Sequence, residues 1–426
     1  MNGRKFGSRA RLAAILATLA VTARSRPAVA QDVSPVPASE EVNVTAARSP
    51  RALGDTPSSV VVLRLEDLAV TAAPTADDAL RQAAGFALFR RTGSRTANPT
   101  TQGVSLRGIG ASGAARAAVL EDGLPLNDPF GGWIFWGRVP VRSLERIEVV
   151  RGGASELYGS SALSGAVQLV RRAPASPAGA DADLSAGTLA TRDASAYASG
   201  RSGAWAATLS ADAFSTGGYV PVAPEERGPV DAETSSRHSG AELSVERRIE
   251  STRMFLRGSL YEESRGNGTP LQTNDVHLGE LSAGSDLMAG KASLTVRGFA
   301  TGERFHQTFT SISPDRTSER LIRLQTVPAD AEGLSAQASL PGGPHLLVGG
   351  VEARRAQGES REQVPGAAPS FVTAGGRQMT AGAFIEDILT LGEKWTWTAG
   401  IRFDAWGNRD GRSVSDSASG HAETRF

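Results

Sequence analysis

The chain contains no cysteine among its 426 residues, and this absence excludes several kinds of site. Without thiols there are no disulfide bridges, thiolate zinc sites, iron–sulfur clusters or cysteine nucleophiles. The chain also has no surplus of either charge, because 45 Lys and Arg balance 45 Asp and Glu. Proteins that bind nucleic acid carry a basic field, so the sequence predicts no nucleic-acid partner.

Long hydrophobic runs are missing as well. The apolar run at residues 12–22 is too short for the ~20 residues of a membrane helix, and no later window of that length is apolar. A basic start precedes this run, and the small-x-small sequence at residues 28–30 follows it. This order is typical of a secretory signal peptide, which we predict at residues 1–30, with the mature chain starting at Gln31.

Motifs of enzymatic chemistry are absent, including the Walker A loop, His-Glu-x-x-His and Gly-x-Ser-x-Gly. Gly108, Gly110 and Gly113 match the glycine spacing of a dinucleotide-binding loop. The nearest acidic residues follow about ten positions later, however, whereas the carboxylate that binds the ribose is expected ~20 residues on. The five histidines stand apart from one another. We therefore predict no enzyme, no catalytic residues, no bound metal and no cofactor.

The character of the sequence changes near residue 175. Residues 51–175 mix β-branched runs, such as that at 58–65, with a helix predicted at 75–84, where Thr75 is the cap. From residue 176 onward apolar and polar residues alternate, as they do at 204–213 and 394–406. A period of two places the apolar side chains of a strand on one face. The fold class is therefore β-rich, with a small mixed α/β domain at 51–175 followed by antiparallel strands at 176–426.

The connections between these strands have two lengths. Turns at 341–344 and 391–394 are short, whereas the polar segments at 215–237, 263–276 and 357–376 are long. Short turns at one end and long loops at the other are typical of a transmembrane β-barrel of the outer membrane, surrounded by its lipid. A soluble periplasmic β-rich binding protein without transport activity is the alternative, but it has no reason to segregate its loops by length.

Four motifs of the first domain occur in a recognisable order. They are QGVSLRG at 102–108, VLEDGLPLND at 119–128, LERIEVVRG at 144–152 and LYGSSALSG at 157–165. In sequence and spacing they resemble the plug domain of TonB-dependent outer-membrane receptors, and residues 383–406 are similar to a barrel hairpin of that family. The resemblance implies a barrel in the bacterial outer membrane that is filled by the plug and imports a scarce, large nutrient into the periplasm.

The segment before the plug resembles the part of these receptors that contacts the energy-transducing partner TonB. Residues 31–50 form a Pro- and Ser-rich leader, and residues 40–46 are similar to the TonB box. The box residues are Glu41, Val42, Asn43, Val44, Thr45 and Ala46. A strand within a flexible leader has free backbone groups and can pair edge-on with a partner strand.

The resemblance also implies roles for side chains of the plug. Arg107 and Arg151 occupy the positions at which guanidinium groups pair with barrel glutamates, an ionic lock that suits the planar fork of arginine. The segments at 91–101 and 127–138 are expected to form the apical surface that meets an extracellular small-molecule ligand. The predicted ligand-binding residues are Arg95, Asn98, Asn127, Asp128, Phe130, Trp133, Phe135 and Trp136. Clustered rings suit a planar or amphipathic ligand, although they could equally pack within the plug or against the barrel wall.

The transported ligand stays open. The Leu-Asn-Asp sequence at 126–128 and the short leader resemble the cobalamin-receptor branch. A corrinoid is therefore the first candidate ligand, with iron chelates, haem and oligosaccharides as the alternatives. About 250 residues follow the plug, and at roughly 20–25 residues per strand they supply about ten to twelve strands. The family resemblance implies roughly 22 strands. We therefore expect an incomplete barrel, about half of a full one.

Overall fold

The computed structural model describes residues 43–44, 51–52, 58–71, 73–90, 92–109, 113–152, 154–392 and 394–426. The predicted signal peptide and most of the leader and TonB box lie outside these residues. Of the box, the backbone of Asn43 and Val44 is described: strand β1 (Asn43–Val44) pairs antiparallel with β2 (Arg51–Ala52). The signal peptide and the function of the box stay predictions.

The first domain is a small sheet with short helices. Its elements are β3 (Ser59–Arg64), α1 (Leu65–Val70), α2 (Ala76–Leu80), β4 (Phe86–Leu88), β5 (Val104–Leu106), β6 (Ala118–Glu121), β7 (Leu124–Pro125), β8 (Leu144–Arg151), α3 (Ser155–Tyr158) and β9 (Gly165–Arg171). Five strands form the order β3–β8–β9–β6–β7, in which β6 and β9 run parallel, and β4 pairs with β5 separately. The strand expected at 58–65 is confirmed, whereas the helix expected at 75–84 ends at Leu80, where tighter turns with hydrogen bonds from Gln82 to Ala79 and from Ala83 to Leu80 follow.

Aliphatic side chains from one face of this sheet make the main core together with side chains of α2 and β5. Its fully buried members include Leu80, Leu106, Leu144, Ile147, Val149 and Leu169. Two backbone features shape the sheet around them. The β6–β7 hairpin turns through Asp122 and Gly123, both at positive φ, as an Asp-Gly hairpin requires. At Gly165, with φ 136°, an added Cβ would lie 2.2 Å from the carbonyl oxygen of Val150, so only glycine fits.

The second part of the chain is one antiparallel sheet of twelve strands, in agreement with the expected ten to twelve. The strands are β10 (Gly179–Gly187), β11 (Thr191–Ser202), β12 (Trp205–Thr216), β13 (Ser236–Ile249), β14 (Thr252–Gly266), β15 (Thr273–Ala289), β16 (Ala292–Ile312), β17 (Glu319–Gly342), β18 (His345–Val364), β19 (Ser370–Leu391), β20 (Trp395–Ser417) and β21 (Gly420–Arg425). Each strand pairs with the next, and the sheet is open, with β10 and β21 as its edges. This wall wraps the plug.

The two ends of the wall differ in their connections. At the short-turn end, tight turns such as 203–204 and 343–344 join the strands, and at the long-loop end lie the connections 217–235, 267–272 and 313–318. The long loops expected at 263–276 and 357–376 are wrong over most of their length. There β14 pairs with β15, and β18 with β19, through residues that are mostly polar. Backbone pairing does not need apolar side chains, so polarity alone did not mark a loop.

The wall has one polar and one apolar face. Side chains that point inward toward the plug include Arg257, Glu263 and Glu303, all buried, whereas Leu260 and Leu281 point outward and are exposed. An apolar outer face with a polar interior is the pattern of a barrel strand in lipid.

No helix in the described parts of the chain has both the length and the apolar character needed to cross a bilayer.

Candidate functional site

The loop that joins β7 to a 3₁₀ turn at Trp136–Arg138 is shaped by two of the predicted ligand-binding residues. Asp128 donates its backbone N–H to the Trp133 carbonyl at 2.8 Å, and its carboxylate accepts from the backbone N–H of Phe130 at 2.9 Å. Asn127 accepts from the Val119 N–H at 3.3 Å and donates to the Gly132 carbonyl at 3.3 Å. Both polar side chains therefore stabilise the conformation of the loop. The side chains of the loop that remain available for contact are the rings of Phe130 and Trp133.

The neighbouring plug segment is fixed in the same way. Asn98 accepts from the backbone N–H of Thr100 at 3.0 Å and so caps a 3₁₀ turn at Pro99–Thr101. Arg95 reaches the wall, where it binds Asp193 of β11 at 2.7 Å and lies 4.5 Å over the ring of Phe214 in β12. Arg95 therefore ties the plug to the barrel wall.

A cleft of about 320 Å³ opens between these two plug segments and the wall at the long-loop end. The plug contributes Asn98, Thr100, Phe130, Gly131 and Trp133. The loop before β15 contributes Gln272, and strands β16 and β17 contribute Gln307, Thr308, Phe309, Gln325 and Val327. The volume lies at the small end of the ~300–1,000 Å³ usual for small-molecule sites. Three of the predicted ligand-binding residues, Asn98, Phe130 and Trp133, thus meet in one cleft, and their contact with a ligand stays a prediction.

The other two predicted aromatic residues face away from the cleft. Trp136 is 2% exposed in the plug core, with its ring edge-on to Phe86 at 6.4 Å. Phe135 is also 2% exposed and packs on Tyr261 and Phe305 of the wall, at ring distances of 6.4 and 6.3 Å. In this structure Phe135 wedges the plug against the barrel, which corresponds to the packing alternative rather than to ligand contact.

The predicted lock residues Arg107 and Arg151 lie together beside Gly152, which an Arg107 side-chain nitrogen approaches. Arg151 donates to the Ser59 hydroxyl at 2.8 Å and to the Ala84 carbonyl at 3.3 Å, both within the plug. Among the described residues, neither arginine forms an ion pair with a barrel carboxylate. Their pairing with barrel glutamates stays a prediction.

A different ionic cluster, which we call the buried network, joins the plug to the wall. Arg171, at the end of β9, lies 2.6 Å from Glu121 and 2.5 Å from Glu242 of β13. Arg257 of β14 binds Asp122 at 2.5 Å and lies 3.8 Å from both Glu121 and Glu242. Burial alone would raise the pKa of the Asp122 carboxyl, but Arg257 and Arg171 hold that pKa below its ordinary value. Three carboxylates and two guanidinium groups thus fasten the β6–β7 hairpin to the barrel.

A second ion pair between plug and wall follows the loop that carries Phe130 and Trp133. Arg138 donates to Glu280 of β15 at 2.8 Å, and both side chains are 7% exposed. Burial alone would lower the pKa of Arg138, but Glu280 and Glu121 raise that pKa above its ordinary value, so the guanidinium stays charged. A buried charge needs such a partner, because an isolated one is costly.

The fourth motif of the plug meets the hairpin that resembles a barrel hairpin of the family. Arg402 of β20 donates to the Leu157 carbonyl of α3 at 3.0 Å and binds Glu352 at 2.5 Å. Arg402 also approaches Gly159, where an added Cβ would lie 2.9 Å from it. The glycine in the LYG sequence therefore leaves room for a barrel arginine.

The long loop 217–235 is held by a neighbouring loop. Arg316 forms an ion pair with Asp231, and the backbone N–H of Val230 donates to the Arg316 carbonyl at 3.2 Å. The hydrogen bond from Arg316 lowers the pKa of Asp231 from 3.8 to about 2. This loop lock therefore keeps its charges over the whole physiological pH range.

Sequence reasoning missed the barrel half of the cleft and the buried network. Glu242 and Arg257 do carry a signal, because charged residues stand at the inward positions of otherwise apolar-alternating strands. Their plug partners Glu121 and Asp122 belong to a motif that was recognised. Pairing the two sets needs the register between plug and wall, which no local pattern contains.

Comparison with known proteins agrees with this architecture. Residues 52–166 match the model of the TonB-dependent receptor plug domain. The vitamin B12 transporter BtuB of Vibrio vulnificus is 28% identical over 159 residues, which are 37% of this chain and 25% of that protein. The iron-regulated outer membrane virulence protein of Vibrio cholerae is 31% identical over 159 residues, 35% of this chain and 22% of that protein. The match thus spans a quarter or less of these curated relatives.

Solved structures share the fold of both parts. The ferripyoverdine receptor of Pseudomonas aeruginosa superposes with a TM-score of 0.68 at 13% identity, covering 90% of this chain and 55% of that one. The ferric yersiniabactin uptake receptor FyuA of Yersinia pestis gives a TM-score of 0.64 at 13% identity, covering 87% and 60%. Residues 52–166 therefore carry a TonB-dependent receptor plug domain, and the chain is similar in sequence and fold to the TonB-dependent receptors of the bacterial outer membrane.

Proposed function

We propose that this receptor imports a scarce nutrient, a corrinoid or an iron chelate, across the outer membrane in an energy-coupled step. The ligand enters the cleft between the plug loops and the wall, at the end where the long loops lie. The observation that carries the proposal is the position of this cleft. It lies at the long-loop end of the wall, between the plug loops and the strands that wrap the plug.

The contacts beneath the cleft support a plug that is held but can be released. The buried network and the pair between Arg138 and Glu280 fasten the plug through charges, in addition to the aromatic packing of Phe135 on the wall. Ionic contacts that become hydrated on separation lose much of their mutual attraction, because water screens charge far better than a protein interior does. A pull on the N-terminal segment would therefore loosen the plug once the first pairs open.

The names of the relatives are compatible with both ligand classes. One relative is a vitamin B12 transporter, and the structural neighbours include receptors for ferripyoverdine and ferric yersiniabactin. A soluble periplasmic binding protein is not favoured, because the outer face of the wall exposes large apolar side chains such as Leu260 and Ile385. A contiguous surface of that kind suits lipid rather than water.

The partner in this proposal is TonB, which would pair with the box at residues 40–46. The test is uptake of radiolabelled cyanocobalamin and ferric citrate by cells that carry the receptor, with and without TonB. Val44→Pro removes a backbone donor from the box and prevents strand pairing. Val33→Pro, the same change outside the box, is the matched control.

The expected result is that uptake of one of the two ligands requires TonB, is lost in Val44→Pro and persists in Val33→Pro. Ligand binding to isolated outer membranes should be equal in all three proteins. Uptake that continues without TonB, or that Val33→Pro abolishes as fully as Val44→Pro does, would contradict the proposal.

A further inference from the structure

The cleft between plug and wall has an unusual lining for a receptor that could take iron chelates. Its polar side chains are amides and hydroxyls, from Asn98, Thr100, Gln272, Gln307, Thr308 and Gln325. Among the described residues that line it, none is charged. Amides offer donors and acceptors together and suit a ligand whose own groups are neutral.

Two arginines near the cleft, Arg323 and Arg95, are already paired with carboxylates. Gln307 donates to Gln325 at 2.5 Å, and Gln325 donates in turn to Glu362 at 2.9 Å. Arg323 neutralises Glu362 at 3.0 Å. On the plug side Arg95 is engaged by Asp193 at 2.7 Å. These two guanidinium groups are therefore engaged by carboxylates, and neither of them lines the cleft.

The apolar part of the lining consists of three aromatic rings. Phe130 is 44% exposed at the mouth, and Trp133 and Phe309 lie deeper. Trp133 is fixed by tilted packing on Phe305 at 5.7 Å, so its ring offers a rigid face. Rigid rings bind apolar faces at little entropic cost, because few rotamers are lost.

These features disfavour an anion and favour a neutral amphipathic ligand. An anionic chelate that enters an uncharged cleft loses hydration without gaining charge-assisted hydrogen bonds, which is costly. A neutral molecule with an apolar face and a fringe of amides or hydroxyls matches rings and amides at once. Because the cleft holds only about 320 Å³, it would grip one side of such a molecule.

Resting on the proposed import function, we infer that the cleft selects an uncharged ligand with an apolar face and an amide- or hydroxyl-bearing edge, and rejects anionic iron chelates. Two sources share this chemistry, an amide-fringed corrinoid and a neutral oligosaccharide. Of the ligand classes that remain open, the first is the one already named by a relative.

The test is calorimetric titration of the purified full-length receptor in detergent with cyanocobalamin, maltoheptaose and ferric citrate, each at low and high salt. Gln307→Lys places a cation in the cleft. Gln378→Lys makes the same change on β19, where Gln378 contacts Asn408 at 3.3 Å and does not line the cleft. Trp133→Ala removes the rigid ring.

We expect one neutral probe to bind with an affinity that salt does not change, and its identity separates the corrinoid from the oligosaccharide. Trp133→Ala should weaken that binding about tenfold, as removal of a central aromatic anchor does. Gln307→Lys should weaken it too and should create salt-sensitive binding of ferric citrate, whereas Gln378→Lys should do neither.

The inference is overturned if wild-type receptor binds ferric citrate in a salt-sensitive manner, if neither neutral probe binds, or if the two lysine variants behave alike. Because the titration contains no TonB, it is independent of energy coupling. If uptake of ferric citrate requires TonB, the proposed import function is supported and the inference of a neutral ligand is contradicted. If a neutral probe binds but its uptake does not require TonB, the inference is supported and the proposed import function is contradicted.

Discussion

Replacing Arg257 by methionine is the sharpest perturbation of the contact between plug and wall. Methionine keeps an unbranched stem of similar length and removes only the guanidinium group. Arg257 is 5% exposed, and its loss removes the 2.5 Å bond to Asp122. It also leaves Glu121 and Glu242 with Arg171 as their remaining described partner.

The magnitude follows from the charges that stay behind. The two guanidinium groups and three carboxylates of the buried network become one guanidinium and three carboxylates. Removing one partner of a buried ion pair costs ~3–5 kcal/mol, because the remaining charge is uncompensated. Asp122 is 22% exposed and recovers part of this loss through water, so we expect the lower value, about 3 kcal/mol. That corresponds to roughly a hundredfold weaker seating of the plug.

Hydrogen exchange of the β6–β7 hairpin measures this loss directly. Exchange there requires the hairpin to leave the wall, so the protection factor reports the seating equilibrium. Arg253→Met is the matched control. Arg253 lies on the same strand and pairs with Glu246 and Asp286, both of the wall.

The expected result is a roughly hundredfold loss of protection in the hairpin for Arg257→Met, with β14 and β15 unchanged, and no such loss for Arg253→Met. Adding Asp122→Asn to Arg257→Met should restore part of the protection, because it removes the carboxylate charge that Arg257 no longer neutralises. Equal protection in the two single variants would refute the idea that the buried network holds the plug.

Three further changes test other contacts. Gly165→Ala should lower the thermal midpoint of the plug strongly, because its Cβ meets a carbonyl oxygen at 2.2 Å, while Gly179→Ala, with open space around it, should leave the midpoint unchanged. Asp231→Asn should speed hydrogen exchange in the loop 217–235 at neutral pH. Because the pKa of Asp231 is lowered in the folded protein, the ion pair with Arg316 stabilises the loop fully above pH 3.8. The difference in exchange rate between Asp231→Asn and wild type should therefore vanish as the pH falls through about 2. Arg402→Met should expose α3 to proteolysis without unfolding the wall, whereas retained protection would show that the contact with its carbonyl is incidental.

The strands of the wall were largely predictable because alternation of apolar and polar residues fixes both the presence of a strand and its two faces. The Asp122-Gly123 hairpin was predictable for a similar reason, since its turn needs positive φ at both residues. Loop lengths were not. Most residues of the segments at 263–276 and 357–376 pair through their backbones, and that pairing leaves no trace in side-chain polarity.

The candidate site was predictable only on its plug side. Trp133 and Phe135 stand two positions apart in one aromatic cluster, and the sequence predicts ligand contact or packing equally for both. Whether a ring lines the cleft or wedges against the wall depends on Tyr261 and Phe305, which lie far along the chain. The amides of the cleft were missed for the same reason, because they become a site only when β16, β17 and the loop 267–272 face the plug loops.

The central claim is that the plug is seated against the wall and is released when TonB is energised. The absence of native cysteine allows one reporter thiol, and Ser282 of β15 is suited to it, since it points inward and is 2% exposed. The measurement is labelling of Ser282→Cys by a polar maleimide in living cells. Labelling should be slow without TonB and should rise when TonB and the transported ligand are both present. Labelling that is equally fast in cells lacking TonB, or that stays slow during active uptake, would contradict the account.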